Sequence, residues 1–120
     1  MLRLFGTQKK PAVSKVIAVL LYADWCEVSK KMVLKFHNLR QRFGDREVLF
    51  LELNITDGNG RHQAELLSSA LGISETLEAY EGKTGMILTM TARGRKVFGR
   101  MQKPEGLNDL FALVEKQLRF

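Results

Sequence analysis

Cys26 is the side chain of this sequence best suited to chemistry, and it is the only cysteine. It lies in the segment Tyr22–Lys31 (YADWCEVSKK), after an apolar run and before an amphipathic stretch. Where a strand gives way to a helix, free backbone amides and the helix dipole stabilise a thiolate and lower its pKa. Lys30 and Lys31 favour this and Glu27 opposes it. The position predicts a nucleophile toward disulfides or an easily oxidised thiol; the alternative is a buried structural cysteine.

The numbers of cysteines and histidines exclude most other kinds of cysteine chemistry and metal binding. A single cysteine excludes an intrachain disulfide and a cysteine-cluster zinc site, and two histidines are too few for most metal sites, so we expect no metal. On a helix, the rise from Cys26 to His37 is about 16 Å, too far for His37 to be its base. Nothing in the sequence brings His62 to Cys26, so a Cys–His pair is not expected.

The elements that position Cys26 follow from hydrophobic periodicity in a chain of 120 residues, a length typical of one domain. Val16–Tyr22 is typical of a buried strand. The stripe Val28, Met32, Phe36, Leu39 and Phe43, followed by Gly44, predicts a core-facing helix from Cys26 to about Phe43. The next patterns predict a strand Val48–Leu53, buried on both faces except at Glu52, and a turn at 57–60 with Asn59 as a cap. A helix through Ala64, Leu67 and Leu71 should end at Gly72, followed by a helical turn around Leu77. The last patterns predict hairpin strands Met86–Thr91 and Arg95–Met101 and a final helix from Pro104 to about Leu118.

This order predicts an α/β fold with a mixed central sheet and helices on both faces. We expect residues 1–14 to be an irregular basic lead-in and residues 15–120 to be a single domain.

Ala23–Cys26 (ADWC), followed by Lys30 on a strand-to-helix turn, resembles the thioredoxin superfamily. With Asn54–Thr56 after the second strand, the chain is most similar to the C-terminal domain of the bacterial thiol:disulfide interchange protein DsbD and its relatives. The resemblance implies the three-layer thioredoxin-like fold. It also implies that Cys26 is the attacking cysteine and that Trp25, beside it, contacts substrate; a surface aromatic is the alternative for Trp25.

Three departures from the superfamily concern one reaction, the dithiol–disulfide cycle. The resolving cysteine falls at Ser29, in the first turn of the helix, and a hydroxyl cannot close a disulfide. The buried acid falls at Leu20, which removes a proton-transfer group. The cis-proline falls at Gly85, and the loop 73–85 before it is longer, although Gly85 and Met86 are still expected to contact substrate.

These features predict monothiol redox chemistry, in which Cys26 forms a mixed disulfide with glutathione or a protein thiol. No cofactor is expected beyond glutathione as a co-substrate. Three alternatives stay open: a non-catalytic protein-binding module on the same fold, a dithiol oxidoreductase with an engineered Ser29, and a glutathione-shared iron–sulfur cluster. The last is least favoured because Glu27 and Val28 replace the residues expected there.

The net charge of +6 and the pI of about 9.7 allow an acidic partner. Five basic residues concentrate on the predicted hairpin: Arg93, Arg95, Lys96, Arg100 and Lys103. We interpret them as protection of an edge strand, with an acidic protein as an alternative partner and nucleic acid not expected. The run Val16–Ala23 is too short to span a membrane and is better explained as a strand than as a leader. We therefore expect a cytoplasmic location, or an extracytoplasmic one such as the periplasm if the chain is an excised domain.

Overall fold

A computed structural model describes residues 14–119, so nearly all of the predicted lead-in lies outside the described residues. The elements in chain order are β1 (Val16–Tyr22), α1 (Glu27–Phe43), β2 (Val48–Asn54), α2 (Gly58–Ala70), α3 (Ser74–Glu78), β3 (Met86–Thr91), β4 (Val97–Met101), a 3-10 turn (Pro104–Gly106) and α4 (Leu107–Leu118).

The strands form one mixed sheet in the order β2-β1-β3-β4. The β1 strand is parallel to β2 and antiparallel to β3, and β3 is antiparallel to β4. Helices α1 and α4 pack on one face of this sheet, and α2 and α3 cover the other. The predicted α/β architecture, with a mixed sheet between two helical layers, is confirmed. No helix among residues 14–119 has the length and apolar character that a membrane span requires.

The central strand β1 supplies both cores. Ala18 and Leu20 face α1 and α4, while Ile17 and Val19 face α2 and α3. All four side chains are buried, and burying a side chain such as Leu20 contributes about 2 kcal/mol. The strand Val16–Tyr22 has the bounds that the sequence predicts. It is a rigid support for the turn that follows it, at residues 23–26.

Helix α1 buries a different stripe from the predicted one. Met32, Phe36, Leu39 and Phe43 are buried as expected, but Val28 is 40% exposed and Ser29 is fully buried. The inward stripe therefore starts one residue later, at a polar side chain. Ser29 tolerates this position because its hydroxyl makes hydrogen bonds there, which are described below.

Two predictions around β2 are wrong. The strand is not buried on both faces, since Leu49 is exposed and only Leu53 is fully buried; Glu52, the expected exception, is exposed. This exposure arises because β2 lies at the edge of the described sheet, where the helices cover it only in part. Helix α2 is capped by Asp57 and not by Asn59: the Asp57 side chain accepts a hydrogen bond from the Gly60 amide at 2.8 Å.

The hairpin of β3 and β4 is confirmed, with β4 at an edge, but its second strand begins at Val97 and not at Arg95. Arg95 has a positive φ of 54° in the turn. Its Nε donates to the Leu71 carbonyl at 3.0 Å, and its own carbonyl accepts from the Thr76 hydroxyl at 2.8 Å. Arg95 therefore fastens the hairpin turn to α2 and α3 and is not a free surface cation.

Candidate active site

Cys26 is the N-cap residue of α1, with an extended backbone (φ −103°, ψ 116°) and a partly exposed side chain. Its amide donates to the Ala23 carbonyl at 3.0 Å, which closes the tight turn between β1 and α1. The Cys26 side chain makes no capping hydrogen bond, but the backbone amides of Val28 and Ser29 in the first helical turn favour the ionised thiol and lower its pKa. The predicted location, on a strand-to-helix turn and open to solvent, is therefore the one that the structure has.

Ser29 lies directly against this thiol. Its hydroxyl is buried, accepts a hydrogen bond from the Ala23 amide at 3.2 Å, and is the strongest of the groups that lower the pKa of Cys26. A hydroxyl has one donor and two acceptor positions, so a single serine satisfies both neighbours. Ser29 links the end of β1 to the sulfur.

Thr84 is the site residue that sequence reasoning missed. Its side-chain hydroxyl also lowers the pKa of Cys26. Thr84 lies in the segment between α3 and β3, far from Cys26 along the chain. The available signal was its place directly before Gly85, the position aligned with the proline that lies against the active site in the superfamily.

Gly85 brings Thr84 to the site by close packing against α1. A Cβ added at Gly85 would lie 2.8 Å from Val28 Cγ1 and 3.0 Å from the Ser29 amide nitrogen. Gly85 has a φ of +68°, and its amide donates to the Leu21 carbonyl at 2.8 Å. Only glycine fits such a close approach in this left-handed conformation. Among residues 14–119 every peptide bond is trans, including the one before Gly85.

The pKa of Cys26 is lowered from its ordinary value. Partial burial raises this pKa, but hydrogen bonds from the hydroxyls of Ser29 and Thr84 and from the backbone amides of Ser29 and Val28 lower it by more in total. The effect expected of Lys30 and Lys31 is not among these causes. Hydroxyls and amides, rather than lysines, stabilise the thiolate.

The two carboxylates close to Cys26 in the sequence each have another partner. Asp24 accepts a hydrogen bond from the Tyr22 hydroxyl at 2.6 Å, which raises the pKa of Tyr22. Glu27 lies 3.6 Å from the Lys30 ammonium in an exposed ion pair. Neither carboxylate is among the groups that shift the pKa of Cys26.

Trp25 is 63% exposed beside the thiol. Its Nε1 donates to the Thr56 carbonyl at 3.0 Å, and the Asp24 amide donates to the Thr56 hydroxyl at 2.9 Å. Thr56 in turn donates its amide to Asn54 Oδ1 at 3.0 Å. These bonds hold the indole in one orientation and leave much of its ring exposed. Its role as a substrate contact stays a prediction.

The remaining predicted positions differ in what they offer. Met86 is 1% exposed, with its side chain in the core under α2 and α3, so only its backbone is left for a substrate contact. Leu20 is fully buried in the core under α1 and α4, and no titratable side chain occupies that position. His37 and His62 are exposed, on α1 and α2. Residues 14–119 contain no group of three or more His, Cys, Asp or Glu suited to hold a metal ion.

Solved structures with the same arrangement of elements are thioredoxin-like proteins. A thioredoxin-like protein in its oxidised form matches with a TM-score of 0.57 and 10% identity, covering 88% of this chain and 79% of that one. Thioredoxin f from spinach chloroplast (long form) matches with a TM-score of 0.52 and 19% identity, covering 87% and 72%. Trxlp from Edwardsiella tarda EIB202 matches with a TM-score of 0.51 and 17% identity, covering 82% and 84%.

This chain has a thioredoxin-like fold. No family model matches the sequence, and the search of curated proteins finds no match. At identities below a quarter, the likeness establishes the fold, and the chemistry has to be argued from the residues around Cys26.

Proposed function

We propose that this thioredoxin-fold protein performs monothiol redox chemistry, with Cys26 forming a mixed disulfide with glutathione or with a protein thiol. The observation that carries the proposal is the position of a partly exposed Cys26 at the N-cap of α1, where the hydroxyls of Ser29 and Thr84 and the first amides of the helix lower the pKa of the thiol. These donors favour the thiolate, which is the nucleophilic form. The partial exposure of Cys26 leaves the sulfur accessible to a substrate.

With oxidised glutathione the step is a thiol–disulfide exchange. The Cys26 thiolate attacks one sulfur, a new S–S bond forms, and the glutathione S–S bond breaks. One glutathione leaves as a thiolate and takes up a proton, so Cys26 is oxidised while that glutathione is reduced. The donors that stabilise the Cys26 thiolate also make it a good leaving group in the reverse exchange.

Release of the mixed disulfide requires a second thiol from outside the chain. Ser29 cannot attack as a resolving thiol, and the described part of the chain has no other cysteine near the site. An external thiolate attacks the glutathione sulfur, and Cys26 leaves as the thiolate. Because the buried residue at the acid position is Leu20, the chain offers no carboxylic acid there to assist proton transfer.

The second candidate function is a non-catalytic protein-binding module. The apolar surface beside Cys26 favours it, since Trp25 and Val28 are both exposed there. In this case the thiol would have no exchange role, and binding would persist in a Cys26→Ala variant.

A dithiol oxidoreductase that carries an engineered Ser29 is the third candidate, and the Ser29→Cys variant tests it. We expect this variant to form an internal disulfide but to reduce insulin poorly, because Leu20 and Gly85 are unchanged. Robust turnover would favour the engineered Ser29.

We further propose the narrower kinship with the C-terminal domain of DsbD. The two segments that suggest it, Tyr22–Cys26 and Asn54–Thr56, are joined by hydrogen bonds. The Ile55 amide donates to the Tyr22 carbonyl at 2.8 Å, in addition to the two bonds from Asp24 and Trp25 to Thr56.

A cytoplasmic location, where glutathione is abundant and reduced, fits the proposed chemistry.

Intact mass after mild incubation with oxidised glutathione tests the main proposal. We expect a gain of one glutathione that dithiothreitol reverses and that is absent from Cys26→Ala. If the mass is unchanged while a small alkylating reagent reaches Cys26, the monothiol proposal is wrong and the binding module is favoured.

A further inference from the structure

Helix α1 carries five basic side chains and a single acidic one, Glu27. Three of the five cations are already engaged. Lys30 is paired with Glu27 at 3.6 Å. The Arg40 guanidinium lies 5.6 Å from the centre of the Phe36 ring, and the Arg42 guanidinium lies 4.8 Å from that of Phe111.

The two remaining cations, Lys31 and Lys35, form no ion pair and no ring contact with any of residues 14–119. They are one helical turn apart, so their like charges repel. The only carboxylate of α1, Glu27, is paired with Lys30, and no carboxylate among residues 14–119 forms an ion pair with Lys31 or Lys35. Lys31 and Lys35 are therefore the cations of α1 that an external anion would stabilise most.

Both lysines line one shallow groove of about 600 Å³ between α1 and the 3-10 turn. Leu34 lies between them in the sequence and is 66% exposed, the highest value among the large hydrophobic side chains described. Pro104 forms the opposite wall, and the other lining side chains are His37 and two amides. The groove thus combines an apolar floor with positive charge and has no acidic lining residue.

We propose that this groove is a docking site for an acidic segment of a partner protein, with carboxylates on Lys31 and Lys35 and an apolar side chain on Leu34 and Pro104. A carboxylate-bearing peptide matches both the charge and the apolar surface. Nucleic acid matches only the charge, because no Phe, Tyr or Trp lines the groove to stack on bases. The net charge of +6 also favours encounter with an acidic partner.

The site does not depend on the thiol. From Cys26 to Leu34 the helix rises by about 12 Å, so the groove is separate from the sulfur and yet close enough for one partner to reach both. A Cys26→Ala variant should therefore bind an acidic segment as the unmodified chain does. The two proposals are therefore tested by different variants: Cys26→Ala tests the redox chemistry, and Lys31→Glu/Lys35→Glu tests peptide binding in the groove.

The test uses a fluorescein-labelled synthetic peptide rich in glutamate with two leucines, and fluorescence anisotropy at physiological ionic strength. We expect saturable binding that the double variant Lys31→Glu/Lys35→Glu weakens by about tenfold or more, and that Leu34→Ala weakens by about threefold. A matched peptide of lysine and leucine should not bind.

The matched control is Arg93→Glu/Lys96→Glu, which makes the same change in net charge at two exposed residues of the hairpin turn. This variant should bind as the unmodified chain does. If the two double variants weaken peptide binding equally, binding depends on net charge and not on the groove. If the unmodified chain does not bind the peptide, the groove is not a docking site for an acidic segment. Tighter binding of a single-stranded oligonucleotide with the same lysine dependence would assign the groove to nucleic acid; each of these results overturns the proposal.

Discussion

The buried Ser29 hydroxyl accepts a hydrogen bond from the Ala23 amide at 3.2 Å, and the same hydroxyl lowers the pKa of Cys26. The resemblance to thioredoxins implies a resolving thiol at this position. Ser29 instead favours the Cys26 thiolate and, as a hydroxyl, cannot form a disulfide with it. In the proposed monothiol chemistry, Ser29 thus favours formation of a mixed disulfide at Cys26 and provides no second thiol to resolve it.

Replacement of Ser29 by alanine should weaken both functions of the hydroxyl. The thiolate loses a donor, so the pKa of Cys26 should rise, and alkylation by iodoacetamide at neutral pH should slow by about tenfold. The buried Ala23 amide loses its acceptor, which should cost about 1–2 kcal/mol in the free energy of unfolding. Stopped alkylation assays and urea denaturation measure the two effects.

The matched control is Ser69→Ala, a serine-to-alanine change at an exposed residue near the end of α2. It should leave both quantities nearly unchanged. An unaltered alkylation rate in Ser29→Ala would show that the Ser29 hydroxyl does not lower the pKa of Cys26.

Thr84→Val tests the second hydroxyl with little change of shape. The pKa of Cys26 should rise and alkylation should slow, whereas Thr84→Ser, which keeps the hydroxyl, should restore most of the rate. Because Thr84 is only half-buried, we expect a change in unfolding free energy of less than about 1 kcal/mol. Equal rates for the valine and serine variants would show that shape, and not hydrogen bonding, matters at this position.

Gly85→Ala tests the contact that brings Thr84 to Cys26. The new Cβ would lie within 3.0 Å of Val28 and of the Ser29 amide, at a residue with positive φ. We expect a loss of about 2–4 kcal/mol in the free energy of unfolding and slower alkylation of Cys26. Gly82→Ala is the control, since Gly82 also has a positive φ (+81°) but no atom within 4 Å of an added Cβ. It should cost only the backbone strain, about 1–2 kcal/mol; equal losses in both variants would contradict a packing role for Gly85.

Most of the fold could be predicted from the sequence, because hydrophobic periodicity reports burial directly. The strand Val16–Tyr22 and the helix ending at Phe43 have their predicted bounds. One error arose because the polar Ser29, and not the apolar Val28, is the buried residue at the start of α1. Another arose because the burial of a strand residue such as Leu49 depends on where its strand lies in the sheet. Neither hydrogen-bond satisfaction nor the order of strands is encoded in local periodicity.

The site was predictable only in its local part. Cys26 and Ser29 share one turn of sequence, so their proximity follows from helix geometry. Thr84 reaches the thiol through the pairing of β1 with β3 and through the Gly85 contact, which are long-range features. Free backbone amides, the helix dipole and lysine charge were the expected causes of thiol activation. The amides of Ser29 and Val28 do contribute, but Lys30 is paired with Glu27, and the hydroxyls of Ser29 and Thr84 lower the pKa of Cys26 more than the amides do.

The lowered pKa of Cys26 also predicts a pH dependence of stability. Because the pKa of Cys26 in the folded chain is lowered from its ordinary value, ionisation of Cys26 stabilises the fold. This contribution is complete above the unfolded-state pKa and is lost as the pH falls through the folded-state pKa. The difference in unfolding free energy between the unmodified chain and Cys26→Ala should therefore grow as the pH rises through this window. A difference that is flat or that shrinks with pH, in urea denaturation at several pH values, would show that the thiolate is not stabilised.

The most direct test of the whole account is the pKa of Cys26 itself, measured from the ultraviolet absorbance of the thiolate during a pH titration of the folded chain, with Cys26→Ala as the blank. The account predicts a pKa below that of a free cysteine thiol, roughly 8.5. A pKa at or above that of a free thiol would mean that Ser29 and Thr84 do not activate the sulfur, and monothiol exchange would lose its physical basis.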